Sequence, residues 1–192
     1  MNLPNKLTLF RILLVPAIIL VWLTGNPNIS FNLLSSHIIL SRFICALLFI
    51  VASITDLLDG QIARRNNLVT TFGKFMDPIA DKMLVNTILV LLAYDHLIPV
   101  LCVILMIIRD LIVDGIRLLA AQKQIVIAAG PLGKLKTILQ MIAIPVVMVD
   151  NFPAGWLPFN VGLIFMLAAT IVSVVSGYDY FMKNKEMIFE SI

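Results

Sequence analysis

The sequence is poor in charged residues, cysteine and histidine. Only 13% of its 192 residues are Asp, Glu, Lys or Arg, whereas 60% are hydrophobic. A soluble domain ordinarily carries about 25% charged residues, so this composition excludes an ordinary soluble protein and indicates an integral membrane protein. The two cysteines, Cys45 and Cys102, lie in apolar stretches without metal-type spacing. We therefore expect thiols that fill the core, and no disulfide.

Six apolar stretches have the length of membrane-spanning helices. We predict helices at about 11–24, 38–64, 71–94, 97–121, 134–150 and 157–182, with a polar turn at 25–36. The expected fold is all-α and integral to the membrane, as a single domain over residues 1–192. Residues 1–11 are interpreted as an interfacial segment whose Arg11 extends toward the lipid headgroups. The first apolar run lacks a small-x-small cleavage site, so we interpret it as a helix rather than a signal peptide.

Lysine and arginine are concentrated in alternate connections between these helices. The termini and the connections after helices two and four contain Lys6, Arg11, Arg64, Arg65, Lys74, Lys82, Lys123, Lys134, Lys136, Lys183 and Lys185. The other three connections contain almost none, with Arg42 the one ambiguous case. Because cytoplasmic loops are enriched in these residues, we predict a multi-pass protein of the cell membrane with both termini in the cytoplasm.

Four of the eleven acidic residues fall in the short window from Asp56 to Asp81. On helices, Asp56 and Asp59 share one face, and Asp77 and Asp81 lie one turn apart on the next helix. Two facing helices would bring the four carboxylates together at the cytoplasmic boundary, where an unpaired cluster would repel itself. Divalent cations remove that repulsion, and oxygen ligands without His or Cys favour Mg²⁺ or Mn²⁺. Two ions about 4 Å apart would hold a phosphoryl or diphosphate group.

Small residues and an arginine are interspersed with these acids. Gly60, Ala63 and Gly73 leave room for a ligand or a backbone to approach closely. Arg64 offers a bidentate partner for phosphate oxygens. Alternatively, the acids cap helices and pair with neighbouring basic residues. We favour the functional interpretation, because ionisable groups in membrane helices are functional by default.

The window resembles the signature of the CDP-alcohol phosphotransferase family. It reads Asp56-x2-Asp59-Gly60-x2-Ala63-Arg64-x8-Gly73-x3-Asp77-x3-Asp81, and all eight positions match. The resemblance implies that an alcohol attacks the β-phosphorus of a CDP-linked lipid and releases CMP. It also implies a metal site formed by Asp56, Asp59, Asp77 and Asp81, in which Asp81 accepts the proton of the alcohol. The residues implied to hold the CDP portion are Asp56, Gly60, Ala63, Arg64 and Gly73.

A second polar group interrupts helices four and five. It consists of Arg109, Asp110, Asp114 and Arg117 on helix four and of Lys134 and Lys136 at the start of helix five. Asp110, Asp114 and Arg117 share a face and can partly neutralise one another. The other three basic residues of the group, Arg109, Lys134 and Lys136, then have no acidic partner within it. A basic pocket opposite the acids would suit an acceptor that itself carries phosphate. Inositol, serine or choline would require no such pocket.

Three further stretches, at 2–11, 72–82 and 133–141, resemble the phosphatidylglycerophosphate synthase branch of the family. This resemblance implies CDP-diacylglycerol and sn-glycerol 3-phosphate as substrates, and a homodimer surrounded by membrane lipids. It implies that Arg109, Arg117, Lys134 and Lys136 bind the acceptor phosphate and that Asn5 and Thr8 lie near the donor phosphates. No nucleic-acid partner is expected.

Several alternatives stay open at this point. Within the same superfamily, a cardiolipin synthase would use phosphatidylglycerol as acceptor, and an inositol-phosphate transferase would use inositol phosphate. Membrane prenyltransferases need two Asp-rich motifs on well-separated helices, which the remaining acids do not form. An ion transporter is the alternative from another class, although the acids lie at one boundary and no pair of broken helices is visible.

Overall fold

The computed structural model describes residues 2–33, 36–65, 70–125, 127–128 and 130–189, without the side chains of residues 3–4, 57–65 and 74. Within these ranges the chain is mostly helical, as predicted. The described elements are α1 (Leu3–Thr24), β1 (Ser30–Leu33), β2 (Ser36–Ile39), α2 (Leu40–Arg65), α3 (Thr71–Tyr94), α4 (Val100–Gln122), α5 (Pro131–Met148) and α6 (Val161–Phe189).

The N-terminal lead-in belongs to α1, so the predicted start of the first helix at residue 11 is wrong. Residues 3–10 form the first turns of α1 and continue without a break into its apolar part. Pro4 is compatible with this position, because the first turn of a helix has no internal partner for the backbone N–H that proline lacks. The helix therefore carries the polar residues near its start into contact with other helices.

The polar turn predicted at 25–36 contains a short hairpin instead. Strands β1 and β2 pair in antiparallel register, with Phe31 opposite Ile38. A carboxylate oxygen of Asp150 accepts a hydrogen bond from the backbone N–H of His37 at 2.9 Å. The hairpin is thereby tied to the connection between α5 and α6.

Three of the described helices are long and apolar enough to cross a membrane. They cover Asn5–Thr24, Pro131–Met148 and Val161–Phe189. Helices α2, α3 and α4 carry most of the charged residues discussed above, and Lys134 and Lys136 lie at the start of α5.

The apolar core includes residues of all six described helices. Ile18, Phe49, Ile88, Ile144 and Met166 are almost fully buried there. Within a membrane such side chains stabilise the fold through close packing between helices, because lipid tails are as apolar as the side chains themselves. Cys45 and Cys102 are also buried, as expected of thiols that fill the core.

Polar contacts collect at the two ends of the helices. At one end, Arg42 of α2 donates to Asp95, with Nη2 2.6 Å from Oδ2, and its guanidinium lies 5.7 Å from the ring centroid of Trp22. At the other end, the start of α1, the end of α2 and the start of α3 meet through Arg11, Asp56 and Asp77. The candidate site lies at this second end.

Candidate functional site

Asp56 of α2 and Asp77 of α3 are brought together by a basic residue of α1. Arg11 is only 1% exposed, and its Nη1 donates to Oδ1 of Asp56. Its Nη2 lies 3.6 Å from Oδ1 of Asp77, and that same oxygen accepts a hydrogen bond from the hydroxyl of Thr8 at 2.5 Å. The prediction that Arg11 extends to the lipid headgroups is wrong, because two carboxylates offer its guanidinium partners inside the protein.

The start of α3 is fixed against α1 by a second polar contact. Oγ1 of Thr70 caps α3 by accepting from the N–H of Gly73 at 3.0 Å, and it donates to Oδ1 of Asn5 at 2.8 Å. A Cβ atom at Gly73 would lie 3.2 Å from the Asn5 oxygen and 3.7 Å from Oδ2 of Asp77. Glycine therefore leaves the space in which Asn5 approaches Asp77, and three residues predicted to bind the donor, Asn5, Thr8 and Gly73, lie together.

Four residues of the sequence signature lack described side chains. Asp59, Gly60, Ala63 and Arg64 belong to the backbone of α2, but their side chains lie outside the described part of the structure. Their roles in binding metal and donor stay predictions.

The described acids suit a hard divalent cation. Asp56 and Asp77 converge on a single guanidinium group, so the fold already directs both carboxylates toward one positive charge. Carboxylate oxygens without nitrogen or sulfur ligands are the set that Mg²⁺ and Mn²⁺ prefer. No group of three or more His, Cys, Asp or Glu side chains is placed to hold a metal among the described residues, a set that excludes the side chain of Asp59. The carboxylates present fit such an ion.

A cavity of about 260 Å³ opens beside this acid pair, between α3, α4, α5 and α6. Its charged and polar lining includes Asp81, Lys82, Arg109, Asp110, Asp114, Arg117, Lys134, Lys136, Gln140, Ser176, Asp179 and Tyr180. All four residues predicted to bind the acceptor phosphate are in this lining. The structure therefore brings together basic residues that lie on two different helices.

Asp110 organises the enclosed part of the cavity. Its Oδ1 accepts from Nη1 of Arg109 at 2.9 Å, and its Oδ2 accepts from Nζ of Lys136 at 2.8 Å. Nη2 of Arg109 also donates to the hydroxyl of Ser176 at 2.7 Å. Lys136 is 6% exposed. One carboxylate thus fixes two cations whose combined charge exceeds its own.

The remaining basic residues of the cavity are more open. Nε of Arg117 donates to the Tyr180 hydroxyl at 3.3 Å, and Lys134 is exposed. Lys82 pairs with Asp114. The interpretation in which Asp110, Asp114 and Arg117 neutralise one another is therefore wrong for both acids in the described contacts, because their partners come from elsewhere in the fold.

Asp81 lines the cavity and is also close enough to the acid pair to sense its charge. It interacts electrostatically with Asp56, Arg11, Lys136 and Lys82. It also follows Asp77 by one helical turn, so both carboxylates lie on one face of α3. A carboxylate in this position can accept a proton from a hydroxyl group that enters the cavity.

Sequence reasoning missed several residues of this site. Gln140, Ser176 and Tyr180 were not among the candidates, Arg11 was assigned to the lipid headgroups, and Asp110 was interpreted only as a partner of Asp114 and Arg117. A signal was present for some of them, because Asn5, Thr8 and Arg11 recur every three residues at the start of α1. Ser176 and Tyr180 lie one turn apart on α6, which indicates a polar patch on one face of that helix.

The sequence of this chain is similar to those of known proteins. The family model for CDP-alcohol phosphatidyltransferase matches residues 1–175. The CDP-diacylglycerol–glycerol-3-phosphate 3-phosphatidyltransferase of Bacillus subtilis (strain 168) is 41% identical over 187 residues, 97% of each chain. The relative of the same name from Rickettsia typhi is 39% identical over 186 residues, 96% of this chain and 97% of its own. A third, from Wigglesworthia glossinidia brevipalpis, is 34% identical over 188 residues, 94% of this chain and 93% of its own.

Proposed function

We propose, since this chain belongs to the CDP-alcohol phosphatidyltransferase family, that it transfers the phosphatidyl group of CDP-diacylglycerol to sn-glycerol 3-phosphate. The products are phosphatidylglycerophosphate and CMP. The observation that carries the choice of acceptor is the cavity beside Asp81, whose lining contains Arg109, Arg117, Lys134 and Lys136. A phosphate monoester carries up to two negative charges, and guanidinium and ammonium groups bind such oxygens through charge-assisted hydrogen bonds.

The donor is assigned to the acid side of the site. In this proposal Asn5, Thr8, Asp56, Gly60, Ala63, Arg64 and Gly73 hold the CDP portion. The family uses divalent metal ions, and we assign two Mg²⁺ or Mn²⁺ ions to Asp56, Asp59, Asp77 and Asp81. Such ions would neutralise charge on the diphosphate and on the departing CMP. The contact of Asp56 and Asp77 with one shared cationic group supports this assignment.

Asp81 is assigned the proton transfer. A hydroxyl group of the acceptor gives its proton to the Asp81 carboxylate. The hydroxyl oxygen forms a bond to the β-phosphorus of the donor, and the bond between that phosphorus and CMP breaks. The position of Asp81 in the lining of the basic cavity, close enough to the acid pair to sense its charge, supports this role. An alcohol is a weak nucleophile, so a carboxylate within hydrogen-bond reach contributes roughly 10²–10⁴-fold to the rate.

The location of the protein follows from the same proposal. We place it in the cell membrane as one domain over residues 1–192, with six spans and both termini in the cytoplasm, where glycerol 3-phosphate is dissolved. We also expect a homodimer. Lys136 and other basic residues lie at the same end of the helices as Asp56 and Asp77. This supports the orientation, because cytoplasmic ends of membrane helices are enriched in Lys and Arg.

The test is CMP release by the purified protein. CDP-diacylglycerol and Mn²⁺ or Mg²⁺ are supplied with glycerol 3-phosphate, phosphatidylglycerol, inositol or inositol phosphate as acceptor. We expect release with glycerol 3-phosphate, and loss of that release in EDTA. Arg42→Ala is the control, because Arg42 lies at the opposite end of the helices from the site. We expect this variant to retain activity. Absence of CMP release with every acceptor would remove the proposal.

A second candidate, transfer to phosphatidylglycerol, is favoured by one observation. An apolar groove between α4 and α6 adjoins the cavity through Arg109 and is lined by Leu105, Ile108, Ile112, Val174, Gly177, Tyr178 and Phe181. Such a groove suits an acyl chain of a lipid acceptor. Release of CMP with phosphatidylglycerol but not with glycerol 3-phosphate would select this candidate.

The role of Asp81 has a separate test. We expect Asp81→Asn to lower kcat by roughly 10²–10⁴-fold because the amide cannot take up the hydroxyl proton. Asp179→Asn is the control, since Asp179 lines the same cavity but pairs with Lys183 at 2.7 Å on α6. Near-normal turnover by Asp81→Asn would contradict the assignment.

A further inference from the structure

Arg11 and the two acids that it contacts differ in their exposure to solvent. The arginine is almost fully buried at 1% exposed, whereas the side chains of Asp56 and Asp77 are 36% and 44% exposed. The guanidinium therefore approaches the carboxylates from the interior of the protein. The opposite side of both carboxylates is open to solvent and to an incoming ion.

The hydrogen bonds divide the carboxylate oxygens in the same way. In the described contacts, Arg11 meets Oδ1 of Asp56 and Oδ1 of Asp77. Thr8 donates to the same Oδ1 of Asp77. Oδ2 of each carboxylate has no hydrogen-bond donor among the residues that the structure describes, and Oδ2 of Asp77 faces the space kept open at Gly73. Among the described residues, one oxygen of each acid is thus held and the other has no protein donor.

We propose that Arg11, supported by Thr8, is a positioning residue of the metal site, holding Oδ1 of Asp56 and Asp77 from the buried side so that Oδ2 of each faces the divalent ion. This inference rests on the metal site of the proposed function. Groups that hydrogen-bond to metal-ligating carboxylates fix the orientation of those ligands, and their loss typically weakens metal affinity by about 10–100-fold. The positive charge also reduces the repulsion between the two acids before an ion binds.

The geometry of the guanidinium, and not its charge alone, carries this role. Arg11 reaches two carboxylates on two different helices at once, which the planar fork of arginine permits. A lysine at this position keeps the charge but presents a single ammonium group. Arg11→Lys therefore separates orientation of the ligands from simple charge balance.

The experiment measures Mn²⁺ affinity of the full-length protein in detergent by calorimetry and by Mn²⁺ electron paramagnetic resonance, without substrates. We expect Arg11→Lys to raise the Kd for Mn²⁺ at least tenfold and Thr8→Val to raise it about threefold. Arg42→Lys is the matched control, because Arg42 also pairs with an aspartate but lies at the other end of α2. We expect its Kd to equal that of the wild type.

Each outcome decides for or against the inference. Wild-type affinity in both Arg11→Lys and Thr8→Val would overturn it, as would the absence of Mn²⁺ binding by the wild type. Thr8→Val removes one hydroxyl, so it provides a test if Arg11→Lys fails to fold. Weakened Mn²⁺ binding in the variants of a protein that releases no CMP would support the inference while the proposed function fails. CMP release by the wild type with unchanged Mn²⁺ affinity in both variants would support the proposed function and overturn the inference about Arg11.

Discussion

Two glycines border the side chain of Arg109, and each is close enough to constrain it. A Cβ atom at Gly177 would lie 2.8 Å from Cγ of Arg109, and one at Gly133 would lie 3.4 Å from its Nη2. The first distance is shorter than a van der Waals contact permits. The arginine therefore reaches Asp110 and Ser176 along a path that a larger residue at position 177 would block.

We expect Gly177→Ala to raise the KM for glycerol 3-phosphate by roughly fivefold to tenfold, with a smaller change in kcat. The added methyl group displaces the stem of Arg109, which weakens phosphate binding and leaves the reacting groups in place. Initial rates of CMP release at varied acceptor concentration measure both constants.

Gly115 of α4 provides the control for this substitution. A Cβ atom there meets nothing within 4 Å. We expect Gly115→Ala to leave KM unchanged and to stabilise the protein by up to about 1 kcal/mol, because alanine favours the helix. Equal KM values for Gly177→Ala and Gly115→Ala would contradict the role given to Gly177.

Lys134 and Lys136 lie two residues apart in sequence but in different environments. Lys136 is buried and donates to Asp110, whereas Lys134 is exposed at the cavity. We expect Lys136→Met to raise the KM for glycerol 3-phosphate at least tenfold, because a charge in a poorly solvated cavity binds phosphate strongly. Lys134→Met should raise it about threefold, and added salt should reduce that smaller effect. Similar KM values for the two variants would show that burial of the lysine does not decide how strongly it binds the acceptor phosphate.

At the scale of the elements, the connection between α5 and α6 depends on one side chain. Asn151 has a φ of 65°, a left-handed conformation that asparagine tolerates better than most residues. Its Nδ2 donates to the carbonyl groups of Ala154 and Phe159 at 3.0 and 3.3 Å, and its Oδ1 accepts from the N–H of Gly162 at 3.1 Å. One amide thus closes the loop onto the start of α6.

Removal of this amide should destabilise the protein. We expect Asn151→Ala to lower the free energy of unfolding by about 2–3 kcal/mol, because three hydrogen bonds are lost and buried backbone groups are left unpaired. Asn160→Ala is the comparison, since it removes one hydrogen bond to the N–H of Leu163 and should cost about 1 kcal/mol. Thermal unfolding in detergent ranks the two variants. A larger loss for Asn160→Ala would contradict this account.

The helices could be predicted from apolar runs, but only some of their polar ends could. The predicted range 71–94 coincides with α3, because an apolar run and two flanking polar turns mark it. α6 continues seven residues past its predicted end at 182, to Phe189. Polar residues there remain helical through local contacts such as Lys183 with Asp179, 2.7 Å apart. Hydropathy reports where a membrane ends, whereas backbone hydrogen bonding decides where a helix ends.

The site could be predicted only in part, because spacing within a helix can be read from the sequence and contacts between helices cannot. Helical spacing placed Asp56 and Asp77 on consecutive helices that would bring them together if they faced each other, and in the structure both acids contact one guanidinium group. The owner of that group, Arg11, lies 45 residues before Asp56 in sequence. Local patterns cannot specify contacts over such separations, because these depend on how α1 docks against α2 and α3. Lys136 and Asp110 meet in the same way, through packing between helices.

At the scale of the whole molecule, the two parts of the site belong to different groups of helices. α2 and α3 supply Asp56, Asp77 and Asp81, with Arg11 from α1 beside them, whereas α4 and α5 supply Arg109, Arg117, Lys134 and Lys136 of the cavity. Lys82 of α3 pairs with Asp114 of α4 and joins the two groups. A donor held by the acids and an acceptor held by the basic residues would therefore meet at Asp81, where the two groups of helices adjoin.

This arrangement requires the charged end to face the cytoplasm, and the orientation can be tested by cysteine labelling. Cys45 and Cys102 are buried, so the native protein should react little with a membrane-impermeant maleimide. Trp156 and Lys185 are exposed at positions before and near the end of α6, whose 29 residues span about 44 Å. We expect Trp156→Cys to be labelled in intact cells and Lys185→Cys only after permeabilisation. The reverse pattern would place the basic cavity outside the cell, away from cytoplasmic glycerol 3-phosphate, and would contradict the proposed orientation.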